Sequence, residues 1–414
     1  MKKFGLTALA AFCGLFVVCS CGENSKEDTS VANIDKVVNN VEVNNGESMV
    51  GLSVEKRLEL VKKYGEIGRA FDGMARVELD DKYGFIDKTG NLVIPCVYDA
   101  VGDFSDGVAP VRLGDWKDGK WGYINKAGEL LTPFMYDDVC AFCDGMARVE
   151  QDSACGFVDK TGKQVIPCEY DDAGDFFEGL ASVKLNDKWG FVDKTGKQVI
   201  PCVYDAVGTF SDGLTPVKLN DKWGFINKTG ELIVSCEYDG VSYFSDGMAF
   251  VRVGDWETGK CGFINKTGDL EIPCEYDKVS VFLDGLARVK SNDKWGFVNK
   301  AGDLVVPCEY DGGSDFFDGL AAVRVGDSEN GKLGFIDKTG KEVIPCEYDG
   351  VSVFSDGVAV VRLNEKRGII DKTGKYILPC VYDDIKYFGV DIFVGSVNGG
   401  IKYYYDKNGD FLGY

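Results

Sequence analysis

One sequence pattern recurs nine times along this chain, and this repetition constrains the fold more than any other feature. The pattern combines a Gly, an aromatic or β-branched residue, and a Lys-Thr-Gly or Lys-Ala-Gly turn. Its first Gly recurs at Gly84, Gly122, Gly156, Gly190, Gly224, Gly262, Gly296, Gly334 and Gly368, with spacings of 34 or 38 residues. A weaker tenth copy surrounds Asp406 and Gly409. Such a period is typical of repeat arrays, in which one unit cannot bury its apolar face alone.

Each repeat predicts short β-strands and no helix. In the unit that begins at Gly179, residues 180–185 alternate in polarity, as a half-buried strand does. Residues 189–193 and 197–201 predict a second and a third strand, separated by an Asp-Lys-Thr-Gly turn. We therefore expect an all-β tandem array of nine to ten three-stranded β-hairpin repeats, elongated or superhelical. Closure into one ring is the competing architecture, although propellers typically stop near eight blades.

The repeated segment resembles the WG β-repeat family (WG containing repeat), which is named for a Trp-Gly pair. That pair occurs at Trp121-Gly122, Trp189-Gly190, Trp223-Gly224 and Trp295-Gly296. The resemblance covers the chain from about Phe71 onwards. It implies an all-β repeat protein, often exported in bacteria and generally without an assigned activity. Five units depart from the pattern at the Trp position, where they carry Tyr83, Cys155, Cys261, Leu333 and Arg367, and Ser235 replaces the Pro of one unit.

The N-terminal residues predict export and a lipid anchor. Lys2 and Lys3 precede an apolar run that ends in Val18-Cys19-Ser20-Cys21. This arrangement is typical of a secretory signal, and the Cys resembles the lipidated residue of a bacterial lipobox. We expect residues 1–20 to be the signal peptide, and Cys21 to carry fatty acyl chains such as palmitate. An ordinary signal peptide with incidental cysteines is the alternative.

Three further segments complete the predicted domain organisation. Residues 21–48 are polar, rich in Asn and acidic residues, and predict a flexible tether. Residues 49–66 predict a short capping helix with Ser53 as a possible N-cap, and residues 67–414 are the repeat array. Glu23, Glu27 and Asp28 resemble the surface-export signals of Bacteroidetes lipoproteins. We therefore expect a lipid-anchored protein of the bacterial outer membrane, with exposure at the cell surface as one orientation.

Charge and composition exclude several classes of function. The chain has a net charge of −21, and it would reach −23 without Lys2 and Lys3. Nucleic acid is an unsuitable partner, because phosphate binding needs clustered Lys and Arg. The chain contains no His, which excludes Ser-His-Asp and Cys-His catalysis and nearly all catalytic zinc sites. Carboxylate chemistry is the catalytic option that remains.

The most frequent carboxylates recur at two positions of the repeat. They are Asp99, Asp137, Asp171, Asp205, Asp239, Asp277, Asp311, Asp349 and Asp383 after Tyr, and Asp106, Asp144, Asp212, Asp246, Asp284, Asp318 and Asp356 before Gly. A glycosidase needs one pair of carboxyl groups in unlike environments, which equivalent copies do not provide. We interpret these residues as turn formers, with a ladder of weak Ca²⁺ sites as the alternative. No catalytic residue, metal or cofactor is expected.

Cysteines also recur at one position of the repeat. Cys96, Cys168, Cys202, Cys236, Cys274, Cys308, Cys346 and Cys380 follow the Pro or its equivalent, and Phe134 occupies this position in the remaining unit. A position that accepts Phe predicts a buried, apolar, unpaired thiol. Disulfides would require repeats that stack as closely as neighbouring strands. Cys140 and Cys143 form a C-x-x-C without a βαβ context, and they only weakly indicate a redox site.

Three units lengthen the same turn by four residues, in the segments "GDWKDGK", "GDWETGK" and "GDSENGK". Two of these turns carry Trp116 and Trp256, which are the candidate ligand contacts. The alternative is that each Trp folds back over its own hairpin. We expect an envelope scaffold that binds a protein or glycan partner without catalysis. A carboxylate-based, glycosidase-like hydrolase and a ligand-free structural spacer are the alternatives.

Overall fold

The computed structural model describes residues 53–64, 67–387, 392–397 and 401–413. The expected signal peptide, Cys21 and the tether therefore lie outside the described residues. Among the helices of the described residues, none is long and apolar enough to cross a membrane.

The strands of the described residues form ten consecutive antiparallel sheets, numbered here as blades 1 to 10. Blades 1 to 3 contain β1 (Ile67–Phe71), β2 (Met74–Leu79), β3 (Lys82–Asp87), β4 (Leu92–Tyr98); β5 (Ala100–Val101), β6 (Val108–Leu113), β7 (Lys120–Asn125); and β8 (Asp138–Val139), β9 (Met146–Gln151), β10 (Ala154–Asp159), β11 (Gln164–Tyr170). Blades 4 to 6 contain β12 (Asp172–Phe177), β13 (Leu180–Leu185), β14 (Lys188–Asp193), β15 (Gln198–Tyr204); β16 (Ala206–Val207), β17 (Leu214–Leu219), β18 (Lys222–Asn227), β19 (Leu232–Tyr238); and β20 (Gly240–Val241), β21 (Met248–Val253), β22 (Lys260–Asn265), β23 (Leu270–Tyr276). Blades 7 to 10 contain β24 (Lys278–Val279), β25 (Leu286–Ser291), β26 (Lys294–Asn299), β27 (Leu304–Tyr310); β28 (Gly312–Gly313), β29 (Leu320–Val325), β30 (Lys332–Asp337), β31 (Glu342–Tyr348); β32 (Gly350–Val351), β33 (Val358–Leu363), β34 (Lys366–Asp371), β35 (Tyr376–Tyr382); and β36 (Asp384–Tyr387), β37 (Ile392–Val397), β38 (Ile401–Asp406), β39 (Phe411–Gly413).

The expected array of three-stranded repeats is wrong, because the structure is a ten-bladed β-propeller with mainly four-stranded blades. The additional strand lies in the connection between repeats. In blade 5 it is only two residues long, and it pairs Ala206 with Lys218 and Val207 with Val217. Blade 2 has three strands in the described residues, and residues 126–137 supply only two bridges at its outer edge.

The ring closes where blade 10 meets blade 1. Ile392 and Val394 of blade 10 share one buried cluster with Ile67 and Val77 of blade 1. An open array would leave these apolar faces in water, so the expected elongated or superhelical shape is also wrong. The repeat pattern specifies which residues face the neighbouring blade, but closure depends on the small rotation between successive blades.

A single helix among the described residues, α1 (Val54–Tyr64), packs at this junction. Ser53 Oγ accepts the backbone N–H of Lys56 at 3.2 Å, as an N-cap does. A methyl group on Gly90 of blade 1 would lie 2.7 Å from Leu60 Cδ1. At the equivalent Gly196 of blade 4, the nearest atom belongs to Ile166 of the preceding blade. The helix therefore takes the place that a preceding blade occupies at other junctions.

Every regular junction contains a buried pair of aromatic rings. Phe191 of blade 4 meets Phe210 of blade 5 edge to face, with ring centroids 4.9 Å apart. Equivalent pairs join the other neighbouring blades from blade 1 to blade 9: Phe85–Phe104, Tyr123–Phe142, Phe157–Phe176, Phe225–Phe244, Phe263–Phe282, Phe297–Phe316 and Phe335–Phe354. The favourable edge-to-face geometry adds to the apolar area that each junction buries.

The Gly of the Trp-Gly pair is required by close contact between the third and fourth strands. A Cβ on Gly190 would lie 2.5 Å from the carbonyl oxygen of Ile200 and 2.7 Å from the backbone nitrogen of Cys202. The strand register shifts at this point, between Trp189 and Phe191. The other eight units bring backbone equally close to their Gly. The Trp, by contrast, is half-buried and is replaced in five units by four other residue types.

The cysteines that follow the Pro pack within their own blades. The thiol of Cys202 donates to the carbonyl oxygen of Val183 at 3.6 Å, and both residues belong to blade 4. The twelve described cysteines are unpaired. The eight cysteines at this position are half-buried, so the prediction that they are buried is wrong. Burial raises the pKa of each of these thiols, and that of Cys346 to about 11.

Replacing Gly190 with Ala should destabilise the protein by about 1–3 kcal/mol, because the added methyl group overpacks the backbone of β15. Replacing the adjacent Trp189 with Tyr is the matched control, since Tyr83 occupies this position in blade 1. Urea denaturation followed by circular dichroism gives both midpoints. Equal midpoints for the Ala variant and the wild-type protein would contradict the packing argument.

The thiols at the repeated position should react slowly with a disulfide reagent at pH 7, because a raised pKa leaves little thiolate. The rate should rise as the pH approaches the raised pKa values. In denaturant without reductant, the described cysteines should all titrate. A native protein that reacts rapidly at pH 7, or a denatured protein with few free thiols, would show that this interpretation is wrong.

Candidate functional site

The propeller has two faces that differ in their turns. Successive turns of an antiparallel meander alternate between its two ends. The upper face therefore carries the turns between second and third strands, together with the connections between blades. The lower face carries the turns between first and second strands and between third and fourth strands.

Carboxylates bridge neighbouring blades along the lower face. Asp144 of blade 3 accepts the backbone N–H of Gly179 at 2.7 Å and pairs with Lys194 at 2.6 Å, and both partners belong to blade 4. The same ion pair recurs at Asp72–Lys126, Asp106–Lys160, Glu178–Lys228, Asp212–Lys266, Asp246–Lys300, Asp284–Lys338 and Asp318–Lys372. These residues form turns, as the sequence indicates, and they also join adjacent blades.

A second series of carboxylates bridges the upper face. Asp205 pairs with Lys188 of blade 4 at 2.5 Å and accepts the backbone N–H of Asn220 of blade 5 at 2.9 Å. The hydrogen bond from Lys188 lowers the pKa of Asp205. Equivalent ion pairs are Lys82–Asp99, Lys120–Asp137, Lys222–Asp239, Lys260–Asp277, Lys294–Asp311, Lys332–Asp349 and Lys366–Asp383. Both oxygens of Asp205 thus have protein partners, and the same geometry explains why Asp recurs after Tyr.

The three lengthened turns, called the long loops (residues 114–120, 254–260 and 326–332), all lie on the upper face. They belong to blades 2, 6 and 8. In the first, Asp115 Oδ1 accepts the backbone N–H groups of Lys117 and Asp118 at 2.8 and 3.0 Å. The carbonyl of Asp115 also accepts the N–H of Gly119 at 3.0 Å. Asp255 and Asp327 make the corresponding bonds in the other two long loops. The long loops therefore share one internally bonded backbone.

Both predicted ligand contacts project from the long loops. Trp116 is 78% exposed and Trp256 is 74% exposed, so neither ring is buried against its hairpin. The guanidinium of Arg252 lies 4.6 Å from the ring centroid of Trp256, and the Lys117 ammonium lies 5.2 Å from that of Trp116. Ser328 occupies the same position in the third long loop. The structure places the two Trp residues on one face but on separate blades.

The Arg beneath each long loop was not predicted from the sequence. Arg112, Arg252 and Arg324 occupy the same position near the end of the second strand, and their buried Nε atoms have no hydrogen-bond partner in the described part of the chain. Arg252 donates through Nη2 to the carbonyl of Asp239 at 3.3 Å, and Arg324 to that of Asp311 at 3.0 Å. The shared Arg before the Gly-Asp of each long loop was the available sequence signal.

The C-x-x-C segment belongs to a polar cluster between blades 3 and 4. Arg148 donates to Cys140 Sγ at 3.0 Å and approaches Cys155 Sγ at 3.7 Å. Burial raises the pKa of Cys140 and of Cys143 to about 12, and burial also raises the pKa of Asp175. Redox-active cysteines need a lowered pKa, so these thiols are poor nucleophiles.

The described residues contain no group of three or more His, Cys, Asp or Glu side chains that could hold a metal ion. Asp103 is another carboxyl group whose pKa is raised by burial, and it faces Arg76 of the preceding blade. Asp175 likewise faces Arg148. Each of these two carboxyl groups therefore has an arginine as its charged neighbour, whereas glycoside hydrolysis uses two cooperating carboxyl groups.

Comparison with solved structures gives only remote similarity. Dipeptidyl peptidase 4 of Porphyromonas gingivalis is 8% identical, with a TM-score of 0.38, over 87% of this chain and 67% of that one. The extracellular domain of a hybrid two-component system protein from B. thetaiotaomicron is 9% identical, with a TM-score of 0.25, over 83% and 63%. The tricorn protease is 16% identical, with a TM-score of 0.23, over 84% and 44%. No curated protein matches the sequence.

The repeats themselves match a known sequence family over most of the chain. The family described as WG containing repeat matches residues 83–115, 121–153, 156–189, 189–223, 223–255, 262–295, 295–328, 334–366 and 368–391. These segments begin near the third strand of one blade and end beside the second strand of the next. Each matched segment therefore contains the Gly of the close backbone contact and the Asp that follows Tyr on the upper face. The chain belongs to the WG containing repeat family.

Proposed function

We propose that this protein is a lipid-anchored scaffold of the bacterial envelope whose upper face binds a protein or glycan partner without catalysis. The observation that carries the proposal is the exposure of Trp116 and Trp256 on internally bonded loops of one face. Aromatic side chains are frequent binding anchors, because they offer a large contact area at a small entropic cost. An ordered loop lowers that cost further, since little backbone freedom is lost on binding.

The proposed absence of catalysis is supported by how the carboxylates are used. The repeated Asp residues that carry ion pairs bridge neighbouring blades, and the oxygens of Asp144 and Asp205 already have protein partners. The raised pKa values of Asp103 and Asp175 occur beside arginines. A glycosidase-like hydrolase would instead need an acid and a second carboxylate that face one substrate. A binding scaffold therefore fits these side chains better.

The position of α1 favours contact with a partner away from the anchoring membrane. Lys56 and Leu60 lie against Gly90, in the turn between β3 and β4 on the lower face. The described part of the chain therefore begins near the lower face, at the N-cap residue Ser53. With the lipid on that side, the upper face and its Trp residues would point away from the membrane.

The binding proposal is tested with the double variant Trp116→Ser and Trp256→Ser, which copies Ser328 of the third long loop. Because both rings are exposed, the melting temperature should stay within about 2 °C of the wild-type value. Capture of envelope proteins and binding to a glycan array should both be compared between the variant and the wild-type protein. We expect the variant to lose the captured partner. A variant that retains full binding would exclude the Trp residues from the site, and a much lower melting temperature would show that they pack.

The anchor is tested by replacing Cys21 with Ala in cells that are fed an alkyne fatty acid. The wild-type protein should carry the label and fractionate with the membrane, because acyl chains supply the membrane affinity. The variant should remain unlabelled. Equal labelling of both proteins would contradict lipidation at Cys21, whether or not the upper face binds a partner.

A further inference from the structure

The upper face presents the same contact twice within one closed ring. Trp116 and Trp256 occupy the same position in two long loops, on blades 2 and 6. The loops share their Asp-centred hydrogen bonds, so the two rings are held on equivalent supports. A ligand that repeats its own chemistry along a chain can use both contacts at once. This duplication favours a polymer.

Each Trp tip is also small for a protein interface. A Trp side chain buries about 150–250 Å², whereas one side of a standard protein interface buries about 800 Å². The exposed apolar residues nearest along the chain are single aliphatic residues at the strand ends, Leu113 before Trp116 and Val253 before Trp256. Protein hot spots are surrounded by further contacts that exclude water. An isolated flat ring is better matched to a single sugar ring, whose C–H groups can stack on it.

The contact of Trp256 with Arg252 leaves one face of the ring available for such stacking. Arg252 lies against the ring at 4.6 Å from its centroid, yet the side chain remains 74% exposed. Exposed polar residues flank each ring, Lys117 and Asp118 in one loop and Glu257 and Thr258 in the other. The Lys117 ammonium lies 5.2 Å from the centroid of the Trp116 ring, so the loop tip offers a charged group to the hydroxyl groups of a sugar bound there.

Charge selects among polysaccharides. The chain carries a net charge of −21, and the lysines that end the long loops pair with Asp137 and Asp277. This net charge repels an acidic polysaccharide from the protein as a whole, whereas an uncharged one is not repelled. We propose that the ligand of the upper face is a neutral polysaccharide that stacks one sugar on Trp116 and another on Trp256. This inference rests on the proposed binding function and names its ligand class.

Two-point attachment makes a specific prediction about length. One sugar on one Trp binds weakly, and linking two such contacts can raise the overall affinity by about 10²–10⁴-fold. A chain too short to reach from blade 2 to blade 6 should lose this gain. Trp116→Ser and Trp256→Ser, made singly, should each reduce the affinity for a long chain to that for a short one. The third long loop offers a converse test, because Ser328→Trp should add a contact point.

The experiment uses the full-length protein solubilised in a neutral detergent and run in native gels that contain a soluble polysaccharide. The neutral probes are mixed-linkage β-glucan, galactomannan and dextran, and polygalacturonate is the acidic comparison. We expect at least one neutral probe to retard the wild-type protein and polygalacturonate to leave it unretarded. Each single Trp variant should bind at least ~10²-fold more weakly, the double variant should run freely, and Ser328→Trp should be retarded further. Ser328→Ala is the matched control and should behave as wild type.

The outcomes separate this inference from the proposed function. If the Trp residues are needed to capture a protein while no neutral polysaccharide is bound, the polysaccharide inference fails and the binding function stands. If polygalacturonate binds as well as the neutral probes, the argument from charge fails, and the inference with it. If the double variant matches the wild-type protein in every assay, both proposals fail. Melting temperatures of all variants establish that the fold is intact.

Discussion

The ring depends on the junction between neighbouring blades, because a single blade leaves apolar side chains uncovered. The cluster between blades 4 and 5 contains Phe191 and Ile200 from one blade, and Phe210 and Val217 from the next. Apolar burial of this kind favours close approach but does not specify direction. The carboxylates above and below the cluster supply that direction, since Asp205 accepts the backbone N–H of Asn220 and Glu178 accepts that of Gly213, both in turns of blade 5.

Near-identical blades create a second problem, because many wrong neighbours would fit almost as well as the right ones. Three junctions carry a matched pair of charged residues: Arg76 with Asp103, Arg148 with Asp175, and Arg288 with Asp315. Units without this Arg are followed by units with an uncharged residue at the Asp position, such as Ala141 or Val281. Arg148 and Arg288 are partly buried and Arg76 is exposed, so an incorrectly packed blade would deprive the two partly buried arginines of their charged neighbour. We infer that they help to specify the order of the blades.

The sequence predicted local features better than the assembly. Alternation located the strands that begin at Leu180 and Lys188, and the turn residues located their hairpins. The strand Ala206–Val207 was not predicted, because two residues are too few to show an alternation of polarity. Ring closure was missed since it depends on the rotation between blades, which no single residue encodes. The electrostatic interaction of Arg148 with Asp175 was missed because its partners lie in different units, although the paired occurrence of Arg and Asp was visible in the sequence.

Positions of the repeat differ in whether they can change without loss of the fold. Gly190 cannot change, because β15 fills the space beside it, and Asp205 is held by bonds from two blades. The tip of a long loop has neither restriction, since its turn is stabilised by an Asp and two Gly residues and not by the residue that follows the Asp. That position holds Trp116, Trp256 and Ser328 on equivalent supports. The packing between blades and the chemistry of the upper face are therefore determined by different residues. One substitution at a loop tip can add a contact without destabilising the junctions beneath it.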